Sequence, residues 1–415
     1  MILTINAQRL KRNIEQLAQI GRQEDYGIYR MAFTDNDLLG RQWFKQQIND
    51  AGLELFEDGA ANIHARLNWA PDKPSVMTGS HLDTVPGAGH LDGALGVLVS
   101  LECLQSMKEK GVTTRYPLEA VAFSDEEGRF GGMFGSQAMT GKLTPESIHQ
   151  AADLNGVTIT DAMQQHGLNA MDALHARRSP ESIHAFLELH IEQGPVLDQL
   201  GYKIGVVEGI VGLFRWEVVL KGAANHAGTT PMNMRNDAFS GLAEFANQIQ
   251  RILDEYGSEK SVATIGRVEL EPGAANVVPG NANFSLEVRD TDQSVLDELH
   301  NAFRRSLSAI ARRHGLMFEF NVVSEIDPVK CDQAIMDEIK QVTEEMSVTP
   351  YQLPSGAAHD TQMLASITRA GMIFVPSKGG RSHSAAEWTD MDDIILGANV
   401  MLNVLCRMAE GQYEK

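Results

Sequence analysis

Apolar and polar positions alternate along the first 130 residues in a pattern that predicts strands and helices in turn. The segment PSVMTGS (74–80) predicts a buried strand that ends in a polar turn. GALGVLVSLECLQSMKEKG (93–111) has the apolar spacing of a helix, and YPLEAVAFSDEEG (116–128) is again a strand that runs into acidic residues. Strand, helix and strand at this spacing predict an α/β fold around a mainly parallel sheet.

The pattern changes between residues 212 and 326, where strands expose one face. Strands of alternating polarity and amphipathic helices follow one another at 215–222, 237–256, 281–290 and 294–314. This combination predicts a compact α+β domain inserted into the α/β domain. The expected boundaries are 1–211 with 327–415 for the larger domain and 212–326 for the insert.

Composition and charge limit the kinds of binding partner and the cellular compartment that we expect. The formal charge of −20 argues against a nucleic-acid or anionic membrane surface, since both select Lys and Arg. The three cysteines lie far apart, which favours neither a disulfide framework nor a thiolate metal site. With no signal-peptide pattern and no long apolar run, we expect a cytoplasmic protein.

The stretch GSHLDTVPGAGHLDG (79–93) holds the first candidate site residues, just after a predicted strand. Ligand sites in α/β sheets gather beyond the carboxyl ends of strands. His81 can present one ring nitrogen to a metal while Asp83 fixes its tautomer through the other nitrogen. Asp92 opens the next helix, where its carboxylate is either a bridge between two cations or a helix N-cap. Read alone, His90 is the equal of His81 as a candidate ligand, and it becomes a loop residue near the metals only by the resemblance that the further motifs carry.

Adjacent glutamates follow the next predicted strand in SDEEG (124–128). Taken alone, they are typical of a solvated run of charge. In the alternative interpretation the two glutamates have different roles, because one carboxylate binds a metal and the other takes a proton from water.

Two further segments, ELHIEQG (188–194) and GGRSHSAAEWT (379–389), contain His190 and His383 but are not specific alone. The ordered set is specific: GSHLDTV, GHLDG, DEEG, ELHIEQG, NHAGTTPM, NVVPG, SGAAHD and SHSAAE. Over essentially the whole chain it resembles the dinuclear-metal amidohydrolases of the aminoacylase/carboxypeptidase group. Within that group, the motifs ELHIEQG and NHAGTTPM resemble those of one branch, which contains the N-carbamoyl-L-amino-acid hydrolases, allantoate amidohydrolases and β-ureidopropionases.

The resemblance implies a role for each matching residue in the larger, catalytic domain. The implied metal ligands are His81 and His190 for one ion, Glu127 and His383 for the other, and Asp92 as the bridge. Glu126 is implied as general base, with Asp83 supporting His81. Nitrogen and carboxylate ligands suit two Zn²⁺ ions, and also Mn²⁺, Co²⁺ or Ni²⁺. Gln193 and the backbone of Gly356 and Ala357 are implied to contact substrate.

The resemblance also implies that the insert is a lid and dimerisation domain. Read alone, His226 is a surface residue, and Arg289 forms an exposed pair with Glu287. By resemblance, His226 stabilises an oxyanion in the neighbouring subunit of a homodimer, with help from Asn276. Arg289 is implied to clamp the carboxylate of the substrate.

The implied reaction is hydrolysis of the ureido C–N bond of an N-carbamoyl-L-amino acid, which gives the amino acid, CO₂ and ammonia. An allantoate amidohydrolase or β-ureidopropionase would use the same residues. The motif ELHIEQG is not expected in a plain aminoacylase or dipeptidase, so it argues against both. The remaining alternative is a metal-free binding protein, which would be expected to have lost ligands or the base.

Overall fold

The computed structural model describes residues 2–412. The chain forms two compact units, Met1–Glu208 with Lys330–Lys415 and Gly209–Val329. Within the described residues, no helix has both the length and the apolar character needed to cross a membrane.

Residues 2–210 contain seven α-helices and six strands, which belong to the first unit up to Glu208. The helices are α1 (Ala7–Leu17), α2 (Asp35–Asp50), α3 (Ala94–Glu109), α4 (Phe134–Thr140), α5 (Pro145–Gln150), α6 (Ile159–Gln165) and α7 (Val196–Leu200). The strands are β1 (Glu54–Glu57), β2 (Ile63–Leu67), β3 (Ser75–His81), β4 (Leu118–Phe123), β5 (Ile183–Ile191) and β6 (Gly205–Ile210). Short 3₁₀ helices lie at Ala170–His175 and Pro180–Ser182.

The second unit is an antiparallel sheet backed by two long helices. Its elements are β7 (Gly212–Lys221), β8 (Asn225–His226), α8 (Ala238–Tyr256), β9 (Val262–Thr264), β10 (Val268–Glu271), β11 (Val277–Val278), β12 (Asn281–Asp290), α9 (Gln293–His314) and β13 (Met317–Ile326), with a 3₁₀ turn at Met232–Met234. The sheet order is β10-β12-β7-β13, with β9 beside β12 and a separate β8-β11 pair. Alternate residues of β7 and β12, such as Trp216 and Phe284, are buried with Phe245 and Phe303 of the helices.

The chain then returns to the first unit and completes its sheet. The last elements are β14 (Val329–Lys330), α10 (Gln333–Glu345), β15 (Tyr351–Ser355), α11 (Asp360–Leu364), β16 (Arg369–Val375) and α12 (Met391–Glu410), with a 3₁₀ turn at Lys378–Gly380. Among the described residues the sheet order is β1-β2-β4-β3-β5-β16-β6-β14, and β15 pairs with β6.

Four neighbouring strands at the centre of this sheet are parallel: β4, β3, β5 and β16. Strands covered on both faces are expected to be apolar throughout, and every residue of β3 and β4 is buried. Helices α3 and α12 pack against β3 and β5 as well as against each other. The predicted α/β fold with a mainly parallel sheet is confirmed.

Parallel strands end at the same edge of a sheet, so the segments after them meet in space. His81, the last residue of β3, lies opposite Phe123 at the end of β4. His190 near the end of β5 lies opposite Phe374 of β16. The four strand ends therefore form one edge, at which the polar segments converge.

Candidate metal centre and active site

Each of the four parallel strands contributes polar side chains to this edge. His81 ends β3 and His190 is the next-to-last residue of β5. Glu126 and Glu127 follow β4, and His383 follows β16. The sheet therefore gathers side chains as far apart in the sequence as His81 and His383.

A buried group is formed by His81, Asp92 and His190, whose potential ligand atoms all lie within 4.8 Å of one another. Asp92 Oδ1 is 3.3 Å from His190 Nε2 and 3.8 Å from His81 Nε2. Two imidazole nitrogens and a carboxylate oxygen are a donor set that divalent transition metals prefer.

A second, more open group shares Asp92 with the first and adds Glu127 and His383. His383 Nε2 lies 3.4 Å from Asp92 Oδ2 and 3.4 Å from Glu127 Oε2. The side chain of His383 is 49% exposed, whereas that of Asp92 is 1% exposed. The two oxygens of Asp92 thus face different groups, which is the arrangement required of a carboxylate that bridges two cations.

The turn before α3 places Asp92 between the two groups. Gly93 has φ of 62°, and a Cβ on it would lie 2.2 Å from His81 Cε1, so no larger side chain fits against the ring. Helix α3 begins after Gly93 without any side-chain capping hydrogen bond. The alternative reading of Asp92 as an N-cap therefore does not describe this helix.

Hydrogen bonds fix the orientation of the two buried histidines. His81 Nδ1 is 3.0 Å from the carbonyl oxygen of Asp83, and His190 Nδ1 is 2.9 Å from that of Ile191. If Nδ1 donates in each ring, both Nε2 atoms carry the lone pair that binds a metal. Accordingly, the Gly93 N–H donates to His190 Nε2 at 3.1 Å.

Asp83 lies beside His81 through its backbone carbonyl and not through its carboxylate. Its carboxylate is 3.9 Å from His81 Nδ1, and its backbone carbonyl takes the position beside that nitrogen. The carboxylate instead accepts the backbone N–H groups of Glu126 at 3.3 Å and Glu127 at 3.1 Å. Asp83 therefore braces the acidic loop after β4 as well as His81.

The charges of this edge are unbalanced in a way that a cation would relieve. Burial, together with the carboxylates of Asp360 and Glu127, raises the pKa of Glu126 well above its usual range. Burial and the charge of Asp92 do the same to the pKa of Glu127. Burial lowers the pKa of His81 to about 4, which keeps its ring in the neutral, metal-binding form near pH 7.

Unpartnered polar atoms provide a second test of whether metals fit. Asp92 Oδ1 and Glu127 Oε1 are buried and accept no hydrogen bond. Such atoms are costly in a protein interior unless something outside the chain satisfies them. Asp92 is shared by both groups and Glu127 belongs to the open one, so the donor sets fit two divalent ions.

A third cluster contains Glu188, His190 and His359. Glu188 already accepts hydrogen bonds from Ser80 Oγ at 2.8 Å and from the hydroxyl of Thr361 at 2.6 Å. Through these hydrogen bonds Glu188 connects β5 to β3 and to α11, so this cluster supports the sheet edge.

The other residues predicted to bind substrate in the first unit lie in two loops. Gln193, with φ of 59°, donates from Nε2 to Asp92 Oδ2 at 2.7 Å, and its Oε1 is buried without a partner. Gly356 and Ala357 lie between β15 and α11. This loop is held by Ser355 Oγ, which is 2.9 Å from Nε2 of His359, and the ring of His359 lies against that of His190.

The second unit carries the remaining predicted residues. His226 Nδ1 accepts the backbone N–H groups of Gly228 at 3.1 Å and Thr229 at 3.2 Å. The carbonyl of Asn276 accepts from the N–H next to His226, that of Ala227, at 2.9 Å. Arg289, on β12, pairs with Glu287 at 2.7 Å, and both side chains are partly buried where the simpler reading expected an exposed pair.

Sequence reasoning gave no role to Glu387 and Ser382, although both stand in the quoted segment around His383. Glu387 is buried and accepts backbone hydrogen bonds from Leu91 and Asp92. The only available signal was the acidic residue four positions after His383. His90 contacts Trp388 and belongs to neither candidate metal group.

Comparisons with known proteins extend the similarity over the whole chain. A family model described as Peptidase family M20/M25/M40 matches residues 77–407. The N-carbamoyl-L-amino acid amidohydrolase of Geobacillus stearothermophilus is 37% identical over 412 residues, covering 98% of this chain and 100% of that protein. The allantoate amidohydrolase of Bacillus subtilis (strain 168) is 34% identical, covering 95% and 96%. An amidase of the hydantoinase/carbamoylase family from Burkholderia multivorans has a TM-score of 0.90 at 32% identity, over 98% of each chain.

Proposed function

The chain belongs to peptidase family M20/M25/M40, and from this premise we propose that it is a metal-dependent hydrolase of N-carbamoyl-L-amino acids. It cleaves the ureido C–N bond and releases the amino acid, while the carbamate product decomposes to CO₂ and ammonia. The observation that carries this proposal is the pair of donor sets that share Asp92, with Glu126 beside them.

The first ion would be held by His81 and His190, and the second by Glu127 and His383, with Asp92 shared. The orphaned oxygens of Asp92 and Glu127 support this assignment. Nitrogen and oxygen donors favour Zn²⁺, with Mn²⁺, Co²⁺ and Ni²⁺ as alternatives. When bound, such ions lower the pKa of water and polarise the carbonyl oxygen of the substrate.

Glu126 is the general base in this proposal. Its Oε2 lies 3.4 Å from His81 Nε2, so its carboxylate reaches the edge of the buried group without belonging to either donor set. It takes a proton from the attacking water and returns it to the amino nitrogen as the C–N bond breaks. Asp83 positions Glu126 through the backbone hydrogen bond to its N–H.

Gln193 suits the ureido group of the substrate. Its Nε2 is committed to Asp92, while its buried Oε1 accepts no hydrogen bond. An amide oxygen in this position is an acceptor for a ureido N–H, and such a donor would remove the cost of leaving the oxygen unpaired. The backbone of Gly356 and Ala357 would contact the other end of the substrate.

His226 is proposed to stabilise the oxyanion in the partner subunit of a homodimer. Two backbone N–H groups point at its Nδ1, so the neutral ring carries its proton on Nε2. His226 is exposed and therefore presents this N–H as a donor, as an oxyanion requires. Asn276 is proposed to donate beside it.

Arg289 is proposed to bind the carboxylate of the substrate. In the structure its guanidinium is paired with Glu287, which is also paired with Arg215. Because Glu287 has a second cation, Arg289 can turn to a bidentate carboxylate without leaving Glu287 unpaired.

The alternatives share this machinery and differ in substrate. Allantoate carries a second ureido group and β-ureidopropionate has one more carbon before its carboxylate. The allantoate reading is supported by the similarity to the Bacillus subtilis enzyme. A metal-free binding protein would have no need for five intact ligands and a base, so the complete set stands against it.

The decisive experiment is a substrate panel with the metal-loaded protein. Ammonia and free amine release should be measured on N-carbamoyl-L-amino acids, N-carbamoyl-β-alanine, allantoate, N-acetyl amino acids and dipeptides. We expect the highest kcat/KM on an N-carbamoyl-L-amino acid. The Asp92→Ala variant, assayed in the same metal buffer, controls for contaminating activity. A preference for acetylated amino acids or dipeptides would overturn the proposed substrate class.

A further inference from the structure

A buried carboxylate joins two of the three loops that carry the open donor set of Asp92, Glu127 and His383. One loop follows β16 and contains His383, and the other is the turn before α3, which contains Asp92. Glu387 is 2% exposed and reaches from the first loop into the second. Its Oε1 accepts the backbone N–H of Leu91 at 2.8 Å and that of Asp92 at 3.1 Å.

The other oxygen of Glu387 is connected to the side chain of Asp92 through a serine. Ser382 Oγ lies 3.0 Å from Glu387 Oε2 and 2.6 Å from Asp92 Oδ2. Ser382 is also the residue immediately before His383. Glu387 therefore holds the backbone of one ligand directly, and through Ser382 it reaches the side chain of that ligand and the backbone next to the other.

The turn leaves space for Glu387 because residue 89 is glycine. A Cβ on Gly89 would lie 2.3 Å from both Cβ and Oε1 of Glu387, which is far inside van der Waals contact. An alanine at this position would displace the Glu387 side chain without removing any of its atoms. It offers a second, independent way to disturb the same contacts.

We propose that Glu387 is a positioning residue for the metal centre, which fixes Asp92 and the His383 loop relative to each other. Glu387 belongs to none of the candidate metal groups, and it acts through hydrogen bonds to Asp92 and to Ser382, the residue before His383. The inference rests on the proposed function only in that it takes the two donor sets as the binding places of the metals.

The test measures metal affinity, so it does not depend on which substrate is cleaved. Affinities for Zn²⁺ and Mn²⁺ should be measured by competition with a chromophoric chelator, and thermal unfolding should be followed in the metal-free protein. Supporting groups around metal ligands contribute about 10–100-fold in affinity, and we expect Glu387→Ala to weaken at least one of the two binding steps by that factor. Gly89→Ala should weaken the same step.

The conservative variant separates positioning from charge. In Glu387→Gln, the amide oxygen still accepts from the two backbone N–H groups, and the amide N–H₂ donates to Ser382, whose own hydrogen stays on Asp92. We expect this variant to recover most of the affinity lost in Glu387→Ala. Glu338→Ala is the matched control, since it removes a buried carboxylate that pairs with Arg407 outside the site, and should bind metals normally.

Each outcome decides the inference. Wild-type affinity for both ions in Glu387→Ala or in Gly89→Ala would overturn it. A Glu387→Gln variant as weak as Glu387→Ala would show that charge, and not hydrogen bonding, is what matters, and would also overturn it. If the variants behave as expected but no ureido compound is cleaved, the proposed function fails while the role of Glu387 stands.

Discussion

The two ends of strand β4 carry buried carboxylates in opposite electrostatic situations. Near its start, Glu119 is fully buried yet surrounded by cationic and hydroxyl groups: His64 Nδ1 at 3.0 Å, Arg66 Nε at 3.0 Å, Arg178 Nη1 at 3.2 Å and Ser75 Oγ at 3.1 Å. Although burial opposes ionisation, these partners hold the pKa of Glu119 below its usual range.

Beyond the other end of β4, Glu126 and Glu127 face further carboxylates instead of cations. Their pKa values are raised by burial and by neighbouring negative charge, and one oxygen of Glu127 has no partner. At the start of β4, the protein's own cationic side chains compensate the charge of Glu119. Beyond the end of β4, the charges of Glu126 and Glu127 can be compensated only by a cation that is not part of the chain. The first arrangement stabilises the fold, and the second makes a binding site.

The largest effect on activity is expected from changing Glu126, the proposed base in the site beyond the end of β4. Glu126→Gln should lower kcat by about 10²–10⁴-fold, because the amide cannot take the proton from water. Both metals should remain, since Glu126 belongs to neither donor set. Ammonia release and metal content measured on one sample check this, and near-normal turnover in a metal-replete sample would contradict the assigned role.

At the compensated end, Glu119→Gln should act on stability and not on metal binding. Removing one partner of a buried ion pair leaves cations uncompensated, and we expect the free energy of unfolding to fall by about 3–5 kcal/mol. Urea denaturation measures this loss. The two metal affinities of the folded variant should equal those of the wild type, and a weakened affinity would show that the two ends of β4 are coupled.

Bound metals should stabilise the folded protein only through the site beyond the end of β4, where Glu126 and Glu127 face further carboxylates. Restoring a metal to the stripped wild type at 100 times its dissociation constant should raise the free energy of unfolding by about 2.7 kcal/mol per site. Asp92→Ala should lose this increment, whereas His64→Gln should keep it. An equal increment in wild type and Asp92→Ala would place the stabilising metal somewhere else.

The smallest expected effect is a pH dependence at the compensated end. Burial opposes a charged His64, but Asp58 and Glu119 raise its pKa above the ordinary value near 6.5. A raised folded-state pKa gives stability that is fully present below the unfolded value and is lost as pH rises through the folded value. The stability gap between wild type and His64→Gln should thus be widest below about pH 6.5. A gap that grows with pH would contradict the charged pair.

Part of the site beyond the end of β4 could be predicted from the sequence, because the apolar pattern of a strand shows where the strand ends. The strand predicted at 116–128 and the polar segment 79–93 placed Glu126, His81 and Asp92 beyond parallel strands, where ligands gather. His190 and His383 came from the resemblance, because nothing in their local sequence distinguishes a ligand from a buried or exposed histidine.

What escaped prediction depends on contacts between distant segments. The hydrogen bond from Leu91 to Glu387 spans 296 residues, and no spacing rule connects the two positions. The compensation of Glu119 likewise needs Arg178, which is 59 residues away. Asp83 lies beside His81 as predicted, but the sequence does not reveal that its backbone carbonyl contacts the ring while its carboxylate accepts N–H groups of the acidic loop.

The position of β16 between β5 and β6 has a consequence for how the chain matures on the ribosome. Its neighbours are complete by residue 210, but β16 itself ends at Val375. Throughout the synthesis of the intervening segment, the edge of β5 that will receive it has no strand to pair with, and such an edge can recruit other chains. The nascent protein therefore passes through a long interval in which this edge can be unpaired, and His383 is synthesised only after β16.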